Sequence, residues 1–324
     1  MLFGRLRAGH LPYDMFDHLR TEGEARRARK MESIYHVGQT RLWNGREVLA
    51  ELIKKHGKPE LGPKERRGLA RVFSIIMWGE LAAWKISAQL ADRLEPLEAK
   101  LAASSQVHDE ARHFYVMHDY LEALGEPPEK MHYFARRVVE LTLHTPSVAK
   151  KLIGMQLTIE TIALTIFQAV RELRVEPVLS ELLTYYERDE ARHVGLGVQL
   201  VPTLMAEMSA PERAGVLLFQ LNMLFSTLAE LKTMEPDLLS IGVDPRSILA
   251  IGFRKHEEIH RAIRAEFPSW PEDPPVSRAF DAMCEILFPG TGKAAKVPVA
   301  TRIARAAQVA RRARPSVIEA WQKA

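Results

Sequence analysis

The pentapeptide Asp109-Glu110-Ala111-Arg112-His113 recurs letter for letter as Asp189-Glu190-Ala191-Arg192-His193, 80 residues later. Within each copy the Glu and the His stand three apart, so on a helix they project from one face, one turn removed. One copy alone reads as a run of helix-friendly surface charge; two further carboxylates change that reading. Glu80 lies within FSIIMWGELAAW and Glu160 within GMQLTIETIALTIF, each the sole charge in an apolar stretch. A buried, unpaired carboxylate is costly, so each must be protonated, salt-bridged or bound to a cation. Spacing selects the cation. Glu80 precedes Glu110 by 30 residues, and Glu160 precedes Glu190 by the same 30.

The elements that would position these residues are helices. Segments such as VFSIIMWGELAAWKISAQLADRL and KLIGMQLTIETIALTIFQAVREL carry apolar residues around most of the circumference, as a helix does when neighbours surround it. No convincing period-two segment is found, and Asn44, although followed by Gly45, reads as a helix cap and not as a hairpin turn. Pro and Gly supply the boundaries. Pro63 opens a helix to about Leu94, Pro96 one to about Gly125, and Pro127-Pro128 precede a shorter one ending near His144. Pro146 starts a long helix to about Val175, Pro177 its partner to about Val201, and Pro211, Pro245 and Pro274 begin three more. The two 30-residue intervals are centred beside the breaks at Pro96 and Pro177. In an antiparallel hairpin, residues equally far from the turn lie at one height, here about 22 Å along each helix at roughly 1.5 Å per residue. Each hairpin therefore sets a Glu level with a Glu-x-x-His, and four Glu and two His converge between four helices.

Four carboxylates balance two divalent cations, leaving a neutral reduced site that can be buried. Oxygen-rich ligation with one imidazole per metal suits Fe(II) or Mn(II) better than a thiol-loving ion, although these ligands do not exclude zinc. A ligating His normally donates its second N–H to a carboxylate. The expected pairs are crossed, Asp109 with His193 and Asp189 with His113. Arg112 and Arg192 either keep these Asp residues ionised or are plain exposed helix charge.

At these residues the chain resembles the ferritin-like di-iron carboxylate superfamily, whose shared pattern is Glu, Glu-x-x-His, Glu, Glu-x-x-His on four successive core helices. Glu80, Glu110, His113, Glu160, Glu190 and His193 match it one for one, over roughly residues 65 to 202. The doubled Asp-Glu-x-Arg-His form is most similar to the bacterial multicomponent monooxygenases, and less so to fatty-acyl desaturases and ribonucleotide reductase small subunits. The resemblance implies two iron ions, with manganese or a mixed Mn/Fe pair as alternatives, that activate O2 with electrons from a reductase or ferredoxin and oxidise a small organic or acyl substrate in an adjoining apolar pocket. Two departures stand out. Met117 occupies the place of the reductases' radical tyrosine, and the extra helices exceed what simple iron storage needs.

Composition sets the remaining bounds. With 47% hydrophobic and 27% charged residues, 324 residues describe a globular chain. A net charge of +4 gives no case for a nucleic-acid partner. Residues 290–324 hold eight basic residues against Glu319 alone. Arg302, Arg305, Arg311, Arg312 and Arg314, set among Ile303, Val309 and Val317, suit an acidic carrier, a ferredoxin or an anionic membrane surface, or else a terminal helix packed on its own body. The lone Cys284 forbids an intramolecular disulfide framework, as in a reducing cytoplasm. No secretory leader or membrane span is read, because Gln220 and Asn222 interrupt the apolar run Ala214–Phe225.

Other motifs compete. His256-Glu257-Glu258-Ile259-His260 fits the zincin HExxH, yet Ile263 stands where a metzincin Gly belongs and no third ligand is evident, so a partly exposed polar helix face is the alternative. Gly290-Thr291-Gly292-Lys293 lacks the spacing of a phosphate loop. Tyr186 and Trp84, one turn from Glu190 and Glu80, face the pocket or fill core; Thr161 and Thr165 are candidate hydroxyls near bound oxygen. The expectation is an all-α, ferritin-like four-helix bundle with additional N- and C-terminal helices. An arm spans 1–62, the helical domain 63–289 and the basic tail 290–324. Its activity is that of a cytoplasmic O2-dependent oxidase or monooxygenase, possible as a homodimer; a non-catalytic or ferroxidase-type iron binder is the alternative, and a zinc hydrolase the minor one.

Overall fold

The Pro-led boundaries are helix starts in the computed structural model, which describes residues 22–271, 275–289 and 296–309. The bundle is made by α3 (Pro63–Arg93), α4 (Leu97–Leu124), a long helix in two parts, α6 (Val148–Leu152) and α7 (Glu160–Glu172), and α8 (Pro177–Glu207). A π-helical segment, Ile153–Ile159, joins α6 to α7. α3 pairs with α4 and α7 with α8, and no strand occurs among the described residues. The turns follow from local chemistry. Gly125 ends α4 in the left-handed region, φ 80°, where a side chain would be strained. Between α7 and α8, Arg174 takes φ 48°, and the buried Glu176 carboxylate accepts from the amides of Val178 and Leu179. The Tyr120 hydroxyl donates to the same carboxylate at 3.0 Å, tying the turn to α4.

The remaining helices wrap this frame. α1 (Glu22–Thr40) lies against α4 and α8, and α2 (Gly45–His56), capped by Asn44, touches the same two helices. The arm thus rests on the two helices that carry the repeated pentapeptide. α5 (Tyr133–His144) packs on α9 (Ala210–Thr233), while α10 (Glu235–Ser240), which the Pro spacing does not foretell, packs on α3. α11 (Pro245–Glu266) runs beside α7, and α12 (Pro275–Leu287) pairs with α9 and with α13 (Val299–Val309). Most of the 290–324 tail, including Gly290 to Lys293, Arg311, Arg312, Arg314 and Val317, lies outside the described residues.

Three boundaries differ from expectation. α8 does not stop near Val201 but passes through Pro202 to Glu207, because the buried apolar face continues and packing outweighs one missing N–H. The π segment interrupts what reads as one regular helix; Gly197 makes room for it, since a Cβ there would stand 2.7 Å from Cβ of Gln156. Finally, Val148–Glu172 and Ala210–Thr233 are each long and apolar enough to cross a membrane, contrary to the hydropathy reading. The first is 67% buried around Glu160 as a core helix. The second, 39% buried, turns one apolar face into a cavity and leaves Leu218 and Phe225 exposed.

Candidate metal centre

Equal height across two hairpins brings the six Glu and His residues to one place. Two clusters result, Glu80, Glu110, His113 and Glu190, and Glu110, Glu160, Glu190 and His193, the ligand atoms within each lying within 4.8 Å of one another. Glu110 and Glu190 belong to both. Nδ1 of His113 faces Glu80 at 3.6 Å, Glu110 at 3.5 Å and Glu190 at 3.0 Å. Nδ1 of His193 faces Glu110 at 3.2 Å, Glu160 at 3.4 Å and Glu190 at 2.8 Å. All six are buried.

The donors fit a pair of cations. Glu110 Oε2, His113 Nδ1 and Glu190 Oε1 are buried and, although His113 Nδ1 is within ion-pair range of both oxygens, none of the three makes a well-formed hydrogen bond. All three belong to one cluster. Bonds of about 2.1 Å put two ligands of one cation at most roughly 4.2 Å apart, and the three distances from His113 Nδ1, 3.0 to 3.6 Å, fall inside that limit. The protein by itself compensates with protons. Burial, then Glu190, pushes Glu80 well above the usual carboxylate range, and burial with Glu190 and Glu110 does the same to Glu160. Burial also opposes charge on Glu110 and on both imidazoles. It is outweighed by their mutual attraction, so Glu110 is held low and His113 and His193 are held high.

The far side of each imidazole meets an aspartate from the other repeat. His113 Nε2 lies 3.3 Å from Asp189 Oδ2, and His193 Nε2 lies 3.3 Å from Asp109 Oδ2. The guanidiniums are buried and not solvated. Arg112 Nη2 donates to Asp109 at 2.6 Å and to Asp189 at 2.9 Å, and Arg192 Nη2 to Asp109 at 2.7 Å. Burial raises both Asp residues, and the hydrogen bonds from the imidazoles outweigh it and hold them low.

Several participants escape a reading of motifs. Trp43, in the arm between α1 and α2, donates its indole N–H to Asp189 at 2.7 Å, with the Arg112 guanidinium 4.7 Å over its ring; nothing in the sequence marks it. Gln106 donates to Glu110 at 2.9 Å and to Glu160 at 2.5 Å, and Gln156 of the π segment donates to Gln106. Here a signal existed, since each glutamine stands four residues before a glutamate of the cluster. The position equivalent to Gln106 in the second repeat is Tyr186, fully buried, stacked on His113 at 4.2 Å and donating to its carbonyl at 2.7 Å. The two halves of the centre are therefore unequal. Trp84 turns outward, 37% exposed, and Met117 is core. The hydroxyls of Thr161 and Thr165 donate to carbonyls one turn back, Leu157 and Thr161, so they are already engaged.

A cavity of about 930 Å³ adjoins the centre, with Glu80 and Glu160 in its wall and mostly aliphatic residues of α3, α7, α9 and α11 around it. The HExxH face is partly exposed, as expected, with Glu258 exposed and His256, Glu257 and His260 half-buried, and its two histidines also line this cavity. The rings of His256 and His260 are 4.3 Å apart, but they join no group of three metal-binding side chains among the described residues. That arrangement lacks the third protein ligand of a zincin.

No protein-family model matches the chain, and no curated protein sequence matches it significantly. Among solved structures it is similar to Protein 19 with aldehyde deformylating oxidase activity from Synechococcus, at 20% identity and a TM-score of 0.53, over 62% of this chain and 92% of that one. An R2-like ligand-binding oxidase with aerobically reconstituted metal cofactor aligns at 14% identity and a TM-score of 0.47, over 86% of this chain and 92% of that one, a likeness too slight to carry an argument. The chain has an all-α, ferritin-like fold, and it carries two buried Glu/His clusters that could hold metal ions.

Proposed function

We propose that this protein is a di-metal oxidase or monooxygenase that uses O2 to oxidise an apolar organic or acyl substrate held in the cavity beside Glu80 and Glu160. The observation that carries the reading is the junction of two features. Two clusters share a pair of carboxylates, and their unshared carboxylates form part of the wall of a large apolar cavity. An iron-storage site has no use for the second feature. In this reading Glu110 and Glu190, the carboxylates common to both clusters, would be shared by two iron ions, or by manganese or an Mn/Fe pair. Glu80 with His113 completes one position, and Glu160 with His193 the other.

Bound there, the metal pair supplies the one-electron chemistry by which O2 is reduced, with electrons from a reductase or ferredoxin. The chain's own groups do the rest. Asp189 and Asp109 keep the Nε2 protons of His113 and His193, leaving both Nδ1 lone pairs for metal. Arg112 and Arg192 keep those aspartates ionised, and Gln106 restrains Glu110 and Glu160 from one side. The aliphatic wall excludes water and so strengthens every charge interaction within.

Metal analysis of protein from iron-fed cells tests the ligand assignment. Wild type should carry about two ions per chain, Glu110→Ala close to none, and Glu80→Ala about one, because Glu80 belongs to a single cluster. O2 uptake with reductant, rising only when an apolar substrate is added, tests the oxidase assignment. Retained metal without substrate-coupled uptake would leave an iron-binding protein instead, and zinc content unaffected by Glu110→Ala would end the di-metal reading.

A further inference from the structure

His256 and His260 are absorbed by no part of the metal centre, and both stand half-buried in the cavity wall. α11 runs beside α7 in a register set by its small and apolar residues. A Cβ on Gly252 would stand 3.5 Å from the Thr165 side chain, and Ile263, three turns on, joins a cluster with Leu157, Val194 and Val198. Moving along α11 from Gly252 to Ile263 thus moves from Thr165 of α7 toward the cluster that Leu157 of the π segment packs against. His256 and His260, between these two positions on α11, line the same cavity as Thr161 and Glu160.

Hydrogen bonding fixes the tautomer of His260 and leaves that of His256 open. The Trp270 indole N–H donates to His260 Nδ1 at 3.1 Å. Indole is a donor only, so His260 Nδ1 bears the lone pair and Nε2 the proton. No protein acceptor meets that Nε2 among the described residues. His256 Nε2 lies 3.4 Å from the Ser277 hydroxyl. Burial holds His256 down to about 3, with His260 adding to the effect, and holds His260 down to about 4, so both rings are neutral near pH 7. Two neutral imidazoles in an aliphatic wall are an awkward purchase for a carboxylate, which would bring an uncompensated charge, and a good one for an uncharged oxygen.

We propose that His256 and His260 bind the carbonyl or hydroxyl oxygen of an uncharged, otherwise apolar substrate, donating imidazole N–H groups from α11 while the apolar remainder of the molecule occupies the cavity. Calling that ligand a substrate rests on the oxidase reading; its binding does not. At about 930 Å³ the cavity lies near the upper end of small-molecule sites, roughly 300–1,000 Å³.

Displacement of Nile red from the full-length, metal-loaded protein by 1-octanol, 2-octanone, n-octane and octanoate tests the assignment. The double variant His256→Leu/His260→Leu should weaken 1-octanol and 2-octanone about tenfold, the worth of one hydrogen bond in a dry site, and leave n-octane within twofold. His260→Gln, which keeps a donor, should restore most of the loss. Alcohol and alkane affinities that move together in the double variant would overturn the proposal. So would octanoate binding most tightly with an affinity unchanged between pH 6 and 8, as expected for a bound anion. Should the double variant fail to fold, the single Leu variants carry the same comparison. Repeating the titration on Glu110→Ala protein separates the outcome from that of the oxidase reading, since ligand binding there does not depend on O2 uptake.

Discussion

Asp189→Ala removes the most heavily used carboxylate outside the metal clusters. Asp189 is completely buried and accepts from Trp43 at 2.7 Å, Arg112 at 2.9 Å, Arg192 at 3.2 Å and the His113 ring at 3.3 Å. Its loss leaves two buried guanidiniums sharing Asp109 alone and an indole N–H with no acceptor. Breaking a buried ion pair costs about 3–5 kcal/mol, and an orphaned buried donor about 1–3 kcal/mol. Both Arg residues keep one bond to Asp109, so the lower ends apply and a total of roughly 4 kcal/mol is expected. Asp109→Ala, which lacks the indole contact, should cost about 1 kcal/mol less. Urea unfolding in the presence of a chelator measures these differences. Trp43→Phe alone should cost about 1 kcal/mol, and in a double-mutant cycle most of that should vanish on the Asp189→Ala background. A second readout is the crossed pairing. Although Asp189 neighbours Glu190, its removal should weaken the metal position of His113 by about 10–100-fold and spare that of His193. A loss below 1 kcal/mol, or strict additivity with Trp43→Phe, would refute the network as described.

Further expectations follow from the cavity and the π segment. His256 and His260, held to about 3 and about 4, are charged below about pH 6.5 only in the unfolded chain. That chain therefore binds more protons between pH 6.5 and 4, and native stability falls as the pH drops through this window. Each ring accounts for roughly 2 kcal/mol at pH 4.5, so His256→Phe/His260→Phe should lose about 4 kcal/mol less than wild type between pH 7 and 4.5 in denaturant titrations; parallel losses would show that the rings are not held neutral. Gly197→Ala places a methyl group 2.7 Å from Cβ of Gln156 and 2.8 Å from Leu157 Cδ2, neighbours with little freedom to retreat. A loss of about 1–3 kcal/mol is expected by thermal unfolding, and an unchanged melting temperature would mean the π segment yields easily.

Much of this protein was legible in one dimension because its chemistry is written in helical periods. Glu and His three apart share a face by backbone geometry alone, and 30-residue intervals centred on Pro96 and Pro177 equalise heights across an antiparallel turn. The sole charges of two apolar stretches had to meet a proton, a partner or a cation wherever they were buried. These statements need only the rise and pitch of a helix and the price of an isolated charge. Tertiary structure alone decided what met the centre from elsewhere. Trp43 reaches Asp189 because the arm crosses α4 and α8, and no local pattern specifies where an arm lies. The π segment exists because Gly197 lets α8 approach, so a regular apolar period in the sequence conceals it. The cavity is a space between four helices, and whether α11 turns His256 and His260 toward water or toward that space depends on which residues of α7 its glycine and isoleucines pack against.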